Sequence, residues 1–231
     1  MIIWSLFDGS GLMVEKAAEA GHKCICFNYD GADHGGYQAH RLTTRGVRYK
    51  NVFIDMGFVD RALDGEYGIP DLIYAFPPCT DLASSGSRHF ASKLAKDPLC
   101  QIKAAQTAKI AAYLGEWFGV PYMIENPRGR LSTLWRKPDH RFDPFEYGRY
   151  LPRDDVHPQF PEYIRARDAY PKETYLWTGN GFIMPAKRPV RVQDGFSDQY
   201  KKLGGKTART KLIRSLTPRG FAAAVNMENA K

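Results

Sequence analysis

The chain has 231 residues, of which 43% are hydrophobic and 25% charged, and it carries a formal net charge of +8. This length buries one substantial core, with room for a small appendage. The longest apolar runs, 71–76 and 120–124, are strand-length and far short of the ~20 residues of a membrane-spanning helix. The charge points to polyanionic partners and away from a membrane.

Taken in order, residues 2–7 read as a buried strand, 12–20 as a helix stopped by Gly21, and 23–29 as a second strand. No charged leader or cleavage site precedes the first strand, so a cytoplasmic protein of a bacterium or a phage-infected host is expected. A short helix over 36–43 and a third strand at 52–54 follow, then a fully apolar fourth strand at 72–76 that runs into Pro77-Pro78. Residues 98–118 have helical spacing, and 122–124 form a fifth strand ending in Glu125-Asn126-Pro127. Strands alternating with helices imply an α/β fold with a mostly parallel, Rossmann-like sheet.

Beyond Arg128 the texture changes. Residues 128–171 are rich in Pro, Arg, Asp and aromatics without a clean period, and 173–184 resemble a hairpin turning at Gly179-Asn180-Gly181. The tail over 207–226 ends in a helix that begins near Thr217, with Pro218 in its first turn. The expected organisation is a core over 1–130, a small irregular lobe over 131–200 as candidate for substrate recognition, and a basic segment over 201–231 that packs back on the core. Lys201, Lys202, Lys206, Arg209, Lys211, Arg214 and Arg219 fall in a stretch with no acidic residue. This reads either as a solvated helix face or as a phosphate-contacting surface. Cys24, Cys26, Cys79 and Cys100 are expected to be reduced thiols, and their spacing suits no zinc site.

In an open parallel sheet, ligands bind beyond the carboxyl ends of the strands. The first strand ends in Phe7-Asp8-Gly9-Ser10-Gly11, a glycine turn that brings backbone close to a cofactor. The second ends in Asn28-Tyr29-Asp30, where an acid can accept hydrogen bonds from a ribose diol, and the third in Asp55. Asp30 and Asp55 read equally as helix caps or turn residues. The fourth strand presents Cys79 after two prolines, either as a small apolar residue or as a nucleophile. The fifth sets Glu125 beside it if the two strands are neighbours, which suggests covalent catalysis with acid assistance.

The segments Leu6-Phe7-Asp8-Gly9-Ser10-Gly11, Phe76-Pro77-Pro78-Cys79 and Glu125-Asn126-Pro127, in this order and spacing, resemble the DNA cytosine-5 methyltransferase family. The resemblance covers 1–130 well and 203–225 loosely, and in size the chain is similar to the short, phage-type members. It implies a fold of the S-adenosylmethionine-dependent methyltransferase type, with that cofactor bound by Phe7, Asp8, Gly9, Ser10, Gly11, Asn28, Tyr29, Asp30, Asp55 and Pro77. It implies that Cys79 attacks carbon 6 of cytosine, that Glu125 bonds the ring N3 and amino group, and that Asn126 belongs to the same catalytic segment. Pro78 and Thr80 fall on the substrate side. The Gln-x-Arg-x-Arg segment that positions the base in the family is missing. Arg165 and Arg167 are candidate substitutes, with plain surface as the alternative. The expected substrate is DNA, favoured by the basic tail and by Arg128, Arg130, Arg136, Lys137 and Arg141. A free cytosine nucleotide such as dCMP is the second reading, and a catalytically inactive nucleic-acid-binding relative the third. A dinucleotide oxidoreductase is disfavoured, because Val14 stands where its third glycine belongs.

Overall fold

The computed structural model describes residues 1–29, 45–192, 195–204 and 207–231. Among them, seven strands form one sheet in the order β3-β2-β1-β4-β5-β7-β6. These are β1 (Ile2–Leu6), β2 (Lys23–Asn28), β3 (Val47–Asn51), β4 (Leu72–Ala75), β5 (Tyr122–Pro127), β6 (His140–Phe142) and β7 (Thr174–Gly179). The first five run parallel, while β7 lies antiparallel between β5 and β6. The architecture is the expected Rossmann-like α/β sheet.

The period of two along each central strand divides the core into two layers. Trp4, Ile73, Ala75, Ile124 and Trp177 face one layer, where α2 (Met56–Leu63), α4 (Cys100–Phe118) and α5 (Leu131–Leu134) pack. Ile3, Leu72, Tyr74, Met123 and Leu176 face the other, covered by α1 (Glu15–Glu19) and α8 (Arg219–Asn229). Phe221 of α8 is fully buried and stacks on Phe142 with ring centroids 3.9 Å apart. Burial of that one side chain contributes about 1.5–3 kcal/mol to docking of the last helix. Outside these layers, α3 (Phe90–Lys96) follows the Cys79 loop, and α6 (Asp198–Lys202) and α7 (Ala208–Ser215) precede α8. Ile164, Tyr170, Leu203, Leu212, Ile213 and Leu216 form a smaller cluster there, together with Leu12.

Four expectations are changed by the structure or lie outside the described residues. The third strand is Val47–Asn51, not 52–54. As an edge strand it exposes Arg48 and Lys50 and has no apolar run to betray it. The apolar residues after it belong to the loop that enters α2. Nor do residues 173–184 form a hairpin: β7 pairs with β5 and β6, while Phe182 and Met184 pack on the second core layer outside any strand. Segment 131–200 is thus not only a lobe, since it supplies two strands to the sheet. The helix expected over 36–43, with Asp30 and Lys206, lies outside the described residues.

The start of α8 is fixed by charge. Arg219 Nη2 donates to Asp155 Oδ2 at 2.7 Å, with side-chain exposures of 15% and 6%. Gly220 N donates to Asp168 Oδ2 at 2.8 Å. A Cβ at Gly220 would sit 2.6 Å from the Tyr147 carbonyl oxygen, so only glycine allows this approach. Arg219 is therefore withdrawn from the phosphate-contacting face that its place in the basic tail suggested. Arg214 is similarly committed, its Nη2 donating to the Leu203 carbonyl at 2.6 Å.

Two titratable groups beside this pair act in opposite senses. His157 is buried, and its Nδ1 accepts from the Gln159 and Phe160 amides at 3.3 and 3.1 Å. Burial first, and the nearby Arg219 charge second, push its imidazole down from 6.5 to about 4. Burial pushes the Asp168 carboxyl up from 3.8 to about 6. The depressed histidine stabilises the fold above pH 6.5, and that contribution is lost as pH falls towards 4. The raised aspartate contributes below pH 3.8 and loses that contribution as pH rises through about 6. His157→Asn keeps an acceptor at the site but does not titrate. In urea denaturation at stepped pH, the stability of the wild type relative to this variant should fall steadily from pH 6.5 to 4. A constant difference across that window would show that His157 carries no linkage.

Candidate functional site

The parallel register sets Leu6 level with Phe27 and Ala75, and Ala75 level with Ile124. The loops after β1, β2, β4 and β5 consequently leave one edge of the sheet, where strand order reverses between β1 and β4. A cavity of about 270 Å³ opens there, lined by Phe7, Tyr29, Phe53, Pro78 and Thr80, and by Cys100, Lys103 and Thr107 of α4. The Tyr29 and Phe53 rings meet edge to face at 5.4 Å. Phe7 has φ 58, a left-handed conformation uncommon for a non-glycine residue, at the point where the chain turns out of β1. The expected cofactor residues Phe7 and Tyr29 thus share a wall with Pro78 and Thr80, which had been expected on the substrate side.

The glycine turn is built around Asp8. Its Oδ1 accepts from Gly11 N at 2.7 Å, Ser10 N at 3.0 Å and Ser10 Oγ at 3.1 Å, and its Oδ2 accepts from Ser5 Oγ at 2.8 Å. Burial pushes this carboxyl above its usual range, while those donors pull it back. Asp8 and Ser10 are buried, Gly9 is half-buried, and Gly11 takes φ 76. The carboxylate shapes the turn from beneath and is not part of the cavity wall.

The second cavity, a slot on the other face of the sheet, is lined by Phe76, Glu125, Phe142, Lys172, Thr174, Thr217, Pro218 and Phe221. Residues 76–80 therefore contribute to both cavities, and Cys79 is half-buried on that segment. Burial first, and the Glu125 charge second, hold its thiol above the ordinary value, against the pull of Lys172 and Lys93. Burial likewise raises the Glu125 carboxyl, and Lys172 lowers it. Cys79, Glu125 and Lys172 form one electrostatic unit.

The loop carrying Cys79 is stitched to β5. Asn126 Nδ2 donates to the Pro77 carbonyl at 3.0 Å, with both residues buried. Ser84 N donates to the Arg128 carbonyl at 2.9 Å, Arg130 N donates to the Leu82 carbonyl at 2.8 Å, and Ala83 bridges Gly129 antiparallel. Ala83 N and Leu82 N close back onto the Cys79 carbonyl at 2.8 and 3.0 Å. A Cβ on Gly129 would collide with the Leu82 carbonyl, so glycine is what allows the two loops to touch.

Other expected site residues have local work. Asp55 caps α2, its side chain accepting from Phe58 N at 2.9 Å. Asn28 is buried, and its Nδ2 has no partner among the described residues. Arg165 pairs with Asp198, donating from Nε and Nη2 at 3.1 and 2.9 Å, and Arg167 Nε donates to the Gly148 carbonyl at 3.1 Å. Both are engaged with their own lobe. Lys172, Phe53 and the α4 residues were missed from the sequence. Lys172 stands two positions before β7, and its nearness to Glu125 follows from the β5–β7 pairing, which the expected hairpin had hidden.

No family model matches the chain, and no curated protein is significantly similar to it. Among solved structures, the chain is similar to an E. coli protein described as a putative DNA modification methyltransferase encoded within a prophage. The two are 13% identical with a TM-score of 0.46, over 89% of this chain and 56% of the other, so this chain spans little more than half of that protein's length.

Gly129→Ala should cost about 1–3 kcal/mol, as overpacking in a tight contact does. It should also speed alkylation of the Cys79 thiol by iodoacetamide, because the loop loosens. An unchanged urea midpoint together with an unchanged alkylation rate would mean that the two loops do not depend on this contact.

Proposed function

We propose that this chain transfers a methyl group from S-adenosylmethionine to carbon 5 of cytosine in DNA, with Cys79 as covalent nucleophile. The observation that carries this reading is the pairing of Cys79 with Glu125 on neighbouring strand ends, on a segment that walls two cavities at once. The larger cavity suits a nucleoside-bearing cofactor, and Glu125 lines a narrow cleft on the other side of that segment.

The larger cavity fits the cofactor by its chemistry. Phe7, Tyr29, Phe53 and Pro78 offer apolar and aromatic walls to a purine and ribose, and the turn at Gly9 and Gly11 allows close backbone approach. S-adenosylmethionine supplies an electrophilic methyl group when bound there. Everything else falls to the chain's own residues. Burial raises the Glu125 carboxyl and so favours the protonated form that would serve ring N3. The Cys79 thiol gives its proton to water as sulfur bonds to carbon 6, and the electron pair of the C5–C6 double bond moves into the ring towards the protonated N3. Carbon 5 then takes the methyl group and loses its proton to water, the C5–C6 double bond re-forms as the S–C6 pair returns to sulfur, and N3 gives its proton back to the Glu125 carboxylate. Asn126 is a positioning residue, since it holds the Pro77 carbonyl and so the height of Cys79 above β5.

DNA is favoured as substrate by the cations that remain at the surface. Arg128, Arg130, Lys137, Lys201, Lys202, Arg209, Lys211 and Arg214 are exposed, whereas Arg219 is used internally. A duplex substrate has to release its cytosine from the stack to reach Cys79.

Incubation with methyl-labelled S-adenosylmethionine and duplex DNA should give labelled 5-methylcytosine on digestion. Cys79→Ala should reduce it by at least about 10³-fold. Label in dCMP and not in DNA would move the substrate to the free nucleotide. Cofactor binding without label in any substrate would end the methyltransferase reading.

A further inference from the structure

Phe196 and Tyr200 are 59% and 72% exposed, and their rings stack on each other with centroids 5.7 Å apart and planes 23° from parallel. Scattered exposed apolar side chains are ordinary on a protein surface. Two large rings held together in water are different, because they present one continuous flat surface.

The helix that carries them is anchored. Ser197 caps α6, its side chain accepting from Tyr200 N at 3.2 Å. Gln199 and Leu203 turn inward and are buried. Leu203 joins the cluster that holds Leu12, next to the glycine turn, and Leu216, which lines the cleft beside Glu125. Asp198 accepts from Arg165 Nη2 at 2.9 Å and from Lys202 Nζ at 3.2 Å. The rings therefore project from a fixed base on the part of the molecule that abuts the candidate site, and little freedom is left for them to lose on binding.

The charge around them is positive. Lys201 and Lys202 follow Tyr200 directly, and both are exposed. Lys202 Nζ donates to the Glu162 carbonyl at 2.9 Å, and Arg209 Nη2 meets Glu162 Oε1 at 3.4 Å, which brings Arg209 to the same corner. Arg165, Lys201, Lys202 and Arg209 outnumber Asp198 and Glu162. A flat aromatic surface beside excess cations is complementary to a polymer that has ring faces and a phosphate backbone. An unpaired nucleic acid strand offers both, whereas a closed duplex keeps its ring faces within the stack.

We infer that Phe196 and Tyr200 are a stacking platform for an unpaired base of a DNA strand, with Lys201, Lys202 and Arg209 facing the flanking phosphates. Binding of the strand does not depend on the cytosine chemistry, while its delivery towards Cys79 as substrate rests on that reading. Every base has a ring face, so the platform grips a strand without reading its sequence.

The test is binding of the full chain, followed by fluorescence anisotropy, to an end-labelled oligothymidylate of about twelve nucleotides, with no cofactor present. The probe contains no cytosine, so its binding reports the platform and not the proposed reaction. Phe196→Ala and Tyr200→Ala should each weaken binding about tenfold, and Tyr200→Trp should bind at least as tightly as the wild type. The slope of log Kd against log salt concentration should stay unchanged in these variants and become shallower in Lys201→Gln. Binding to a blunt duplex of the same length should change by less than about twofold in the alanine variants. Tyr113 and Trp117, an exposed stacked pair on α4, supply the control, and Trp117→Ala should leave oligothymidylate binding unchanged. Absence of binding in the wild type, or undiminished binding in both alanine variants, overturns the inference. So does an equal loss in Trp117→Ala, or a loss that tracks a change of oligomeric state in sedimentation, which would make the pair a protein contact. Platform-dependent binding in a chain that methylates no DNA would uphold the inference and remove the cytosine reading.

Discussion

The arrangement at the sheet edge depends on one constraint, the seam between the loop after β4 and the strand β5. Two parallel neighbours bring their ends level, but level ends do not fix where a side chain four residues further on will stand. Here the buried Asn126 amide holds the Pro77 carbonyl, and main-chain bonds at Ser84 and Arg130 close the seam on the far side of Cys79. Buried backbone groups without partners cost free energy comparable to a lost hydrogen bond, so a loop drawn into the protein must find such partners. In meeting that demand the loop also acquires a fixed geometry. The thiol, the carboxyl and both cavity walls inherit it.

Electrostatics then follows from burial. A thiol and a carboxyl near each other away from water both favour their protonated forms, because each charge lacks solvent and repels the other. A third charge nearby shifts that balance. Lys172 is such a charge, tied to Asp143 just after β6 and to the last turn of α7. The thiol lies on the first half of the chain and this cation on the second.

The mostly parallel α/β sheet was readable, and so were the candidates Cys79 and Glu125, because each has a local signature. Fully apolar strands such as Leu72–Ala75 stand out, and so does Cys79 after two prolines. What escaped was non-local. β3 is an edge strand that alternates Arg48 and Lys50 with half-buried Val47 and Tyr49, so its pattern is diluted. β7 looked like half of a hairpin because Gly179-Asn180-Gly181 does turn the chain, but its strand partners come from distant sequence. Lys172 was invisible for the same reason. Asp8 and Asp55 show the opposite difficulty: an acid at a strand end is equally suited to organise its own loop or to bind a ligand. In both cases the structure shows the first use.

The last helix has a meaning for how the molecule comes into being. Asn226 Nδ2 reaches the Met13 carbonyl at 2.6 Å, and Phe221 with Pro218 closes one side of the slot beside Glu125. Until α8 docks, the layer formed by Ile3, Leu72 and Tyr74 is covered only from the α1 side, and the slot lacks the wall that Pro218 and Phe221 supply. Contacts between residues so far apart in sequence form late and cost loop-closure entropy. A chain in which α8 is not yet docked therefore displays Cys79 beside a partly open sheet face, and the cleft next to Glu125 closes only when the helix seats.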